Sequence, residues 1–464
     1  MNRKTELTGR VLTPGDPGWE AARHGFAAWA DYDANVPKAV VFCQKSQDVA
    51  NAVRWARANK TPFRARCGRH SYEGYSSLVK GGLIIDVSAL TSVHVSQDKK
   101  VTVVGAGLQM MELFEALGEL GLAVPGATGP TVGLAGLTLG GGFGVTSRKW
   151  GLTCDNLLDV ELVNAEGEIV HASEKENPDL FWALRGGGGG NFGIATAFTF
   201  TAHPVSNVAV YSLTWAWDVF ESLLGTWQTW APDVEDGLSS ALALLVTGTI
   251  NMYGQFTADD QDLPRISQLL APMIQAAPPI ALSVQIVPHL VGTRVIMELD
   301  PRNPQSSLIP HSDDQVFKST SSFAFAPFPS EAIQLLKGHL ETAPALSCTP
   351  SQPSMVQLLG GGGAPSRIPP EATAVFARQA KFVVQYDAYW TAPEDGAATI
   401  AWIEALRSAM LPYTRGAYVN YADDSLPDWA RAYYGTNLER LVAVKQKYDP
   451  DNVFAFPQSI PISL

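Results

Sequence analysis

His70 stands between Gly68 and Gly74 in the run Arg66-Cys67-Gly68-Arg69-His70-Ser71-Tyr72-Glu73-Gly74-Tyr75. An imidazole on a glycine-bounded turn can be carried against a bulky planar cofactor. Glycine also lets backbone N–H groups approach phosphate oxygens with no Cβ in the way. A lone histidine in a turn is more often a surface or capping residue, so the run gains meaning only from two others. Pro130-Thr131-Val132-Gly133-Leu134-Ala135-Gly136-Leu137-Thr138-Leu139-Gly140-Gly141-Gly142-Phe143-Gly144 interleaves glycines with apolar side chains. A flexible linker would not carry Val132, Leu134, Leu137, Leu139 and Phe143, whereas a buried backbone wrapped around a ligand would. The third run, Tyr448-Asp449-Pro450-Asp451-Asn452-Val453-Phe454, lies near the C-terminus.

The glycines do not make a Rossmann or P-loop site. The first needs Gly-x-Gly-x-x-Gly opening a helix after a strand, with an acidic residue about 20 positions on. Gly140–Gly144 is followed by Thr146-Ser147-Arg148-Lys149-Trp150-Gly151, which has no amphipathic period, and no Gly-x-x-x-x-Gly-Lys-Ser/Thr occurs. Cys43, Cys67, Cys154 and Cys348 lack CxxC spacing, so neither a disulfide framework nor a zinc site is read. No other metal site is expected.

Taken in order, the three runs resemble the berberine-bridge-enzyme-like, FAD-linked oxidases of the vanillyl-alcohol-oxidase superfamily. The resemblance covers nearly the whole chain and is strongest in the first 200 and last 50 residues. It implies an α+β fold: a two-subdomain PCMH-type FAD-binding domain plus an antiparallel-sheet substrate domain covered by helices. It further implies that His70 carries FAD covalently. Many relatives use a second attachment, a cysteine just before Pro-Thr-Val-Gly; here that position is Gly129, so a single bond through His70 is expected. Cys154 belongs to a different motif. The residues the resemblance assigns to the cofactor are Arg66, Cys67, Gly68, Arg69, His70, Ser71, Gly74, Tyr75, Gly129, Val132, Gly133, Gly136, Leu137, Gly140, Gly141, Gly144, Gly193, Ile194, Asn420 and Asn452. Arg69 replaces the usual glycine and either sets a cation beside the flavin or points to solvent.

The family reaction moves hydride from a substrate carbon to flavin N5 while a base takes the neighbouring proton, and O₂ accepts the electrons. Gly416-Ala417-Tyr418-Val419-Asn420-Tyr421 looks like the family's Gly-Ala-Tyr-x-Asn-Tyr motif, which makes Tyr421 the candidate base. A free phenol, with pKa near 10, needs a neighbouring cation or donor to act at neutral pH. Val132, by analogy, leaves room for O₂. In Ser354–Gly361, strand alternation puts Met355, Gln357 and Leu359 on one face, which by resemblance looks into the substrate cavity. Gln357 is its one polar group and the second catalytic candidate; Met355 and Leu359 are the substrate-binding ones. On another strand Gln385, Asp387 and Tyr389 share one face and Tyr386 and Ala388 the other, with the inward face undetermined.

The positioning elements follow from pattern. Ala39–Phe42 reads as a strand, followed by a helix from Ser46 as N-cap, with Asp48 in its first turn. Pro62–Arg66, Leu83–Val87 and Val101–Val104 read as strands, and 111–120 as an amphipathic helix ending at Gly121. Asp159–Val163 and Glu168–His171 flank Asn164–Gly167 as a hairpin. After Pro204 the glycine loops give way to long strands, Val208–Trp215 and Val295–Leu299 among them, with helices at Leu263–Leu270 and Ala397–Leu406. We therefore expect an FAD-binding domain over 1–205, a substrate domain over 206–415, and a 416–464 segment returning to the first.

The 464 residues suffice for two or three lobes, and 46% hydrophobic against 17% charged residues excludes wholesale disorder. A net charge of −12 without a basic stripe argues against a nucleic-acid partner. No apolar run reaches the roughly 20 residues of a membrane span, and the N-terminus lacks a secretory run, so a cytoplasmic location is expected. The expected partners are a hydroxyl-bearing small molecule and O₂; the oligomeric state is not legible. Alternatives are a C–N oxidase of alkaloid type, a dehydrogenase with another acceptor, and a flavin carrier without turnover.

Overall fold

The computed structural model describes residues 6–27, 29–299, 316–344 and 353–464. It is an α+β chain with three main sheets. Strands β1 (Arg10–Leu12), β2 (Ala39–Phe42), β3 (Phe63–Arg66) and β4 (Leu83–Asp86) form the first, in the order β1-β2-β4-β3. The pairs β2–β4 and β3–β4 are parallel. The apolar run of β2 and that of Leu83–Ile85 in β4 suit strands buried on both faces. The helix Ser46–Ala58 covers one side. Its N-cap is Lys45, not Ser46, because the Ser46 hydroxyl is drawn to Glu161 Oε1 at 2.6 Å. Asp48 does the capping work from inside the helix, accepting the Gln44 N–H at 3.0 Å.

The second sheet is antiparallel, with β5 (Val93–Val95), β6 (Val101–Gly105), β8 (Leu157–Val163), β9 (Ile169–Ser173) and β10 (Ile194–Thr201) in the order β5-β6-β10-β8-β9. A separate two-residue pair joins β7 (Leu122–Ala123) with β11 (His203–Pro204). The β8–β9 hairpin is turned by Asn164, whose Oδ1 accepts the Glu166 and Glu168 N–H groups at 3.0 and 2.8 Å. The amphipathic helix spans Met110–Gly118, beginning one residue before and ending two before the bounds its pattern suggests.

The third sheet comprises β12 (Asn207–Ala216), β13 (Ala241–Leu245), β14 (Thr249–Phe256), β15 (Ala281–Pro288), β16 (Val316–Ala324), β17 (Met355–Gly360) and β18 (Phe382–Trp390). Its order is β15-β12-β14-β13-β17-β18-β16, and all its pairs are antiparallel. Helices Phe220–Asp233, Ile266–Ala276, Ser330–Glu341 and Gly396–Met410 cover one face, burying Trp227, Leu270, Leu336 and Ile403 against Trp215, Leu242, Val356 and Tyr386. The other face looks toward the two smaller sheets.

Val295–Leu299 is not a strand but the end of a helix, His289–Leu299. His289, Gly292, Thr293, Ile296 and Met297 are its buried positions, spaced three and four apart as one helical face requires. The glycine-rich run holds a short helix, Leu134–Leu139, that its pattern did not announce.

Residues 417–460 share a core with the second sheet: Ala417, Leu426, Tyr434, Leu438 and Ile460 pack with Phe181, Phe192 and Phe198. Lys445 ties this segment down, donating to Asn191 O, Asp449 Oδ2 and Phe454 O, each at 2.7 Å. Buried Arg148 pins the glycine-rich region to the third sheet's helices. It donates to the carbonyls of Pro232, Val234, Leu238 and Gly361, the first two at the C-terminal end of Phe220–Asp233, where a cation meets the negative end of the helix dipole.

Candidate active site

One cavity of about 1110 Å³ lies between the two smaller sheets and the open face of the third. That exceeds the roughly 300–1,000 Å³ of a pocket for one drug-sized ligand. It is room for a dinucleotide and a second small molecule.

The His70 loop forms one wall. Arg66 and Asp86 are a fully buried pair at 2.6 Å, and Arg66 also donates to Ala22 O at 2.7 Å. Its guanidinium therefore braces the loop while the residue lines the cavity. Gly68 and Gly133 touch backbone to backbone, so that a Cβ on either would collide with the other segment. This is the physical need for glycine at both positions, and it seats the His70 loop on the Pro130–Gly144 run. The His70 ring stacks on Phe26 with centroids 4.2 Å apart, and its Nε2 lies 2.8 Å from Thr131 Oγ1. Those two contacts fix the ring plane inside the cavity. Arg69 lines the same wall at φ 66° and donates to Ala21 O at 2.6 Å. Cys67 is no nucleophile: burial pushes its thiol up to about 12, and it donates to Ala106 O at 3.2 Å. Burial likewise pushes the Cys154 thiol up.

Ser71, Tyr75, Gly129, Val132, Gly133, Gly136, Leu137, Gly144, Gly193, Ile194, Asn420, Tyr421 and Leu359 also line the cavity. Gly136 is exposed to it, with nothing within 4 Å of where a Cβ would stand. Gly129 leaves space that Val132 uses: a Cβ there would come within 2.8 Å of Val132 Cγ2.

Six expected residues stand elsewhere. Gly74 turns the loop at φ 67° behind the wall, against Leu78. Gly140 makes room for the Asn420 side chain, and Gly141, at φ 122°, packs on Val375 and Leu152. Asn452 occupies a left-handed turn position with its N–H on Asp449 O. Met355 and Gln357 are on the predicted face of β17 but lie under other side chains. Met355 packs with Phe317 and Tyr389, and fully buried Gln357 donates to Tyr253 Oη at 2.7 Å. Tyr253, not Gln357, reaches the cavity, so Gln357 bears on it only through that phenol. Alternation located the face correctly, but bulky neighbours on adjacent strands roof part of it.

Asp387 and Tyr389 resolve the open question on β18: both line the cavity, while Tyr386 and Ala388 face the helices. Asp387 is buried, and its Oδ1 accepts from Ser319 Oγ at 2.6 Å and Gln385 Nε2 at 2.9 Å. Tyr253, Phe26, Tyr72 and Phe317 complete this end. Tyr72 belongs to the His70 run, but nothing local in the sequence marks Tyr253, Phe26 or Phe317, which come from strands and loops remote from every motif.

Tyr421 sits across from His70. It stacks on Tyr72 with centroids 5.5 Å apart and meets Tyr418 edge-on at 5.0 Å. Tyr418 is committed elsewhere: its buried phenol oxygen receives Gly142 N–H and Asn420 Nδ2, each at 2.9 Å.

The cavity's lining fits FAD. It includes Arg64, Arg66, Arg69, Arg148 and Arg378, whereas Asp387 is its only carboxylate among the described residues. Backbone runs at Gly68–Ser71, Gly129–Gly133 and Gly188–Asn191 face the same space, where their N–H groups can meet pyrophosphate oxygens. Buried Arg64 Nε and Ser76 Oγ, on residues of this wall, lack hydrogen-bond partners, as unfilled donors at a polar ligand's site do.

These features define a flavin-binding oxidoreductase of the two-domain type. Residues 37–173 match the family model of an FAD binding domain, and 417–461 that described as berberine and berberine like. The chain is 40% identical over 464 residues to the FAD-linked oxidoreductase YgaK of Bacillus subtilis, covering 99% of this chain and 98% of that one. It is 29% identical to the reticuline oxidase of Eschscholzia californica, over 92% and 83%. Among solved structures, BBE-like 1 of Physcomitrella patens superposes with a TM-score of 0.87 at 29% identity, over 99% and 98%. The chain belongs to the berberine-bridge-enzyme-like family of FAD-linked oxidoreductases. Among the described residues no helix is long and apolar enough to cross a membrane.

Proposed function

We propose that this chain is an oxidase that takes hydride from a hydroxyl-bearing small molecule onto FAD linked covalently to His70, with O₂ as the acceptor. The observation that carries the reading is the convergence of His70, Val132, Tyr421 and Asp387 on one cavity. When bound, the flavin supplies the hydride acceptor and the route for electrons to O₂. The protein must hold the reacting C–H within about 3–3.5 Å of that acceptor. Tyr72, Phe317, Tyr389 and Leu359 give the apolar walls that orient a small substrate and exclude water. Tyr421, acting as the phenolate, takes the hydroxyl proton and becomes the phenol. Asp387 accepts a hydrogen bond from the substrate, with Ser319 and Gln385 fixing its rotamer. Val132, with only a short branched side chain, leaves space for O₂. The absence of a cysteine at Gly129 leaves His70 as the single attachment.

A second reading has its own support. A buried carboxylate in an otherwise arginine-lined cavity suits an ammonium as well as a hydroxyl, and reticuline oxidase is a relative. Oxidation of a C–N bond then replaces that of C–O.

The test is anaerobic titration of the holoprotein with a panel of alcohols, sugars and amines, followed by readmission of air. Loss of oxidised-flavin absorbance with one class, and its return with H₂O₂, supports the oxidase reading and selects between the two. Reduction that air does not reverse marks a dehydrogenase. No reduction across both classes rejects turnover on them. Flavin released by acid precipitation rejects the covalent bond.

A further inference from the structure

Three short stretches meet behind the cavity wall, and each sets a charged residue beside an aromatic one. Glu73 follows Tyr72, Lys318 follows Phe317, and Asp423 lies two residues after Tyr421. The charged members converge. Lys318 Nζ is 2.5 Å from Glu73 Oε1, 3.0 Å from Asp423 Oδ1 and 2.5 Å from Asp424 Oδ1. Lys318, Glu73 and Asp423 are buried; Asp424 is exposed, and its N–H also donates to Glu73 at 3.2 Å. Three carboxylates this close could hold a metal ion, but the ammonium already stands among them and supplies the positive charge.

The aromatic members converge as well, on the cavity side. Tyr72 stacks on Tyr421 with the planes 8° apart, and Phe317 meets Tyr72 edge-on at 5.1 Å. Phe317 also touches Phe26 at 5.5 Å, and Phe26 stacks on His70. A chain of ring contacts thus runs from His70 to Tyr421, and the ion cluster grips it through three backbone segments. On β16, alternation explains the split: Phe317 lines the cavity, Ser319 shares its face of the strand, and Lys318 lies on the opposite face.

We propose that Lys318 is a positioning residue that sets Tyr421 relative to His70, by tying the His70 loop, β16 and the Tyr421 segment to one buried ammonium. This rests on the reading of Tyr421 as the base. Ring contacts permit sliding, whereas charge-assisted hydrogen bonds are short and directional. A buried carboxylate that loses its cation is left uncompensated, so the three segments cannot drift apart cheaply. Among the described residues, the titratable groups facing Glu73 are Lys318, Asp423, Asp424 and Tyr75. Burial pushes Glu73 up to about 7, with Lys318 opposing. Asp423 is held low by Lys318 despite its burial, and Lys318 is held charged by Asp423 and Glu73. Burial pushes the Tyr75 phenol up, out of the neutral range. Glu73 is therefore the member whose charge changes near neutrality.

The experiment compares the parent holoprotein with Lys318→Met, Lys318→Arg and Glu73→Gln. Near-ultraviolet circular dichroism reads the Tyr72–Tyr421 stack, calibrated by its loss in Tyr421→Leu, and stopped-flow reads flavin reduction across pH 5 to 9. Lys318→Met should keep its flavin, lose the stack signal and reduce about 10²-fold more slowly, the scale of a 1 Å misplacement. Lys318→Arg should retain both to within about tenfold. If Lys318→Met does not fold, Glu73→Gln carries the test. Its stack signal and reduction rate should lose whatever inflection near pH 7 the parent shows. A stack signal unchanged in Lys318→Met, or a Glu73→Gln profile identical to the parent's, overturns the proposal whatever the reaction proves to be. A lost stack with an unchanged reduction rate overturns the positioning role; whether Tyr421 is the base is decided separately by Tyr421→Phe.

Discussion

Tyr421→Phe removes one hydroxyl from a half-buried ring and leaves its stacking partners, Tyr72 and Tyr418, in place. If the phenolate accepts the substrate's proton, flavin reduction should slow by about 10² to 10⁴, roughly 3–5 kcal/mol at 1.36 kcal/mol per tenfold. Flavin content, melting temperature and reoxidation by air should barely change. A variant that reduces within about threefold of the parent would remove Tyr421 from the mechanism and leave Asp387 as the cavity's remaining base. His70→Ala should bind flavin that acid precipitation then releases, with the parent pellet staying yellow; a yellow variant pellet sinks the attachment. At this scale the motif residues were legible because a motif fixes type and order together. His70, Val132 and Tyr421 all reach the cavity. Gly140 and Gly74 did not follow, because glycine answers backbone needs of two kinds. One is an open face on a cavity, as at Gly136; the other is room for a neighbour, as at Gly140 beneath Asn420. Sequence shows the glycine but not which need it meets.

At the scale of elements, β18 delivers Asp387 and the His70 loop delivers Glu73, and each placement makes a prediction. Asp387→Asn keeps the hydrogen bonds' shape but loses the charge. Hydrogen bonds to charged groups contribute about 1.5–3 kcal/mol, so KM should rise roughly 10- to 150-fold, with flavin content unchanged. An amine substrate should suffer more than an alcohol, and an unchanged KM for both would place the substrate elsewhere. Glu73 titrates from about 7 when folded, above its ordinary 4.5, because it is buried. Its proton therefore favours the folded state: the contribution is full below about 4.5 and is lost as pH climbs through 7. Melting temperature should fall across that window in the parent and stay flatter in Glu73→Gln; parallel curves would show that Glu73 is not the group titrating. Long elements with a clear period, such as β12 and Gly396–Met410, were legible. His289–Leu299 was not, because a five-residue window of it, Val295–Leu299, looks like a strand. The helical face appears only over eleven residues, and one of its buried positions is Gly292, whose missing side chain makes room for Val208 and Val210.

For the whole molecule, the decisive fact is that the cavity's walls come from both ends of the chain and from the middle. The loops at His70, Gly133 and Gly190 face Asn420, Tyr421 and Phe454 from the C-terminal segment, and Leu359 and Asp387 from the third sheet. An antiparallel sheet under helices was readable from the change in texture after Pro204, but how it docks was not. The docking runs through groups that no local pattern displays: Arg148 on four carbonyls, Arg378 paired with Asp155 at 2.6 Å, and Lys318 among three carboxylates. The proposed division, 1–205 with 416–464 against 206–415, predicts what truncation after residue 415 does. The loss takes Tyr434, Leu438, Leu441 and Ile460 out of the core they share with Phe181 and Phe198. It also strips Lys445 from Asn191 O, the carbonyl beside the glycine run that lines the cavity. Flavin binding itself should then fail, not merely turnover, because the cofactor's own lobe is left open. Co-expressing 416–464 as a separate chain should restore some of the flavin spectrum if the segment docks by its own surface. A truncated protein that purifies with a full complement of flavin would show that residues 1–415 hold the cofactor without the C-terminal segment, which overturns that division.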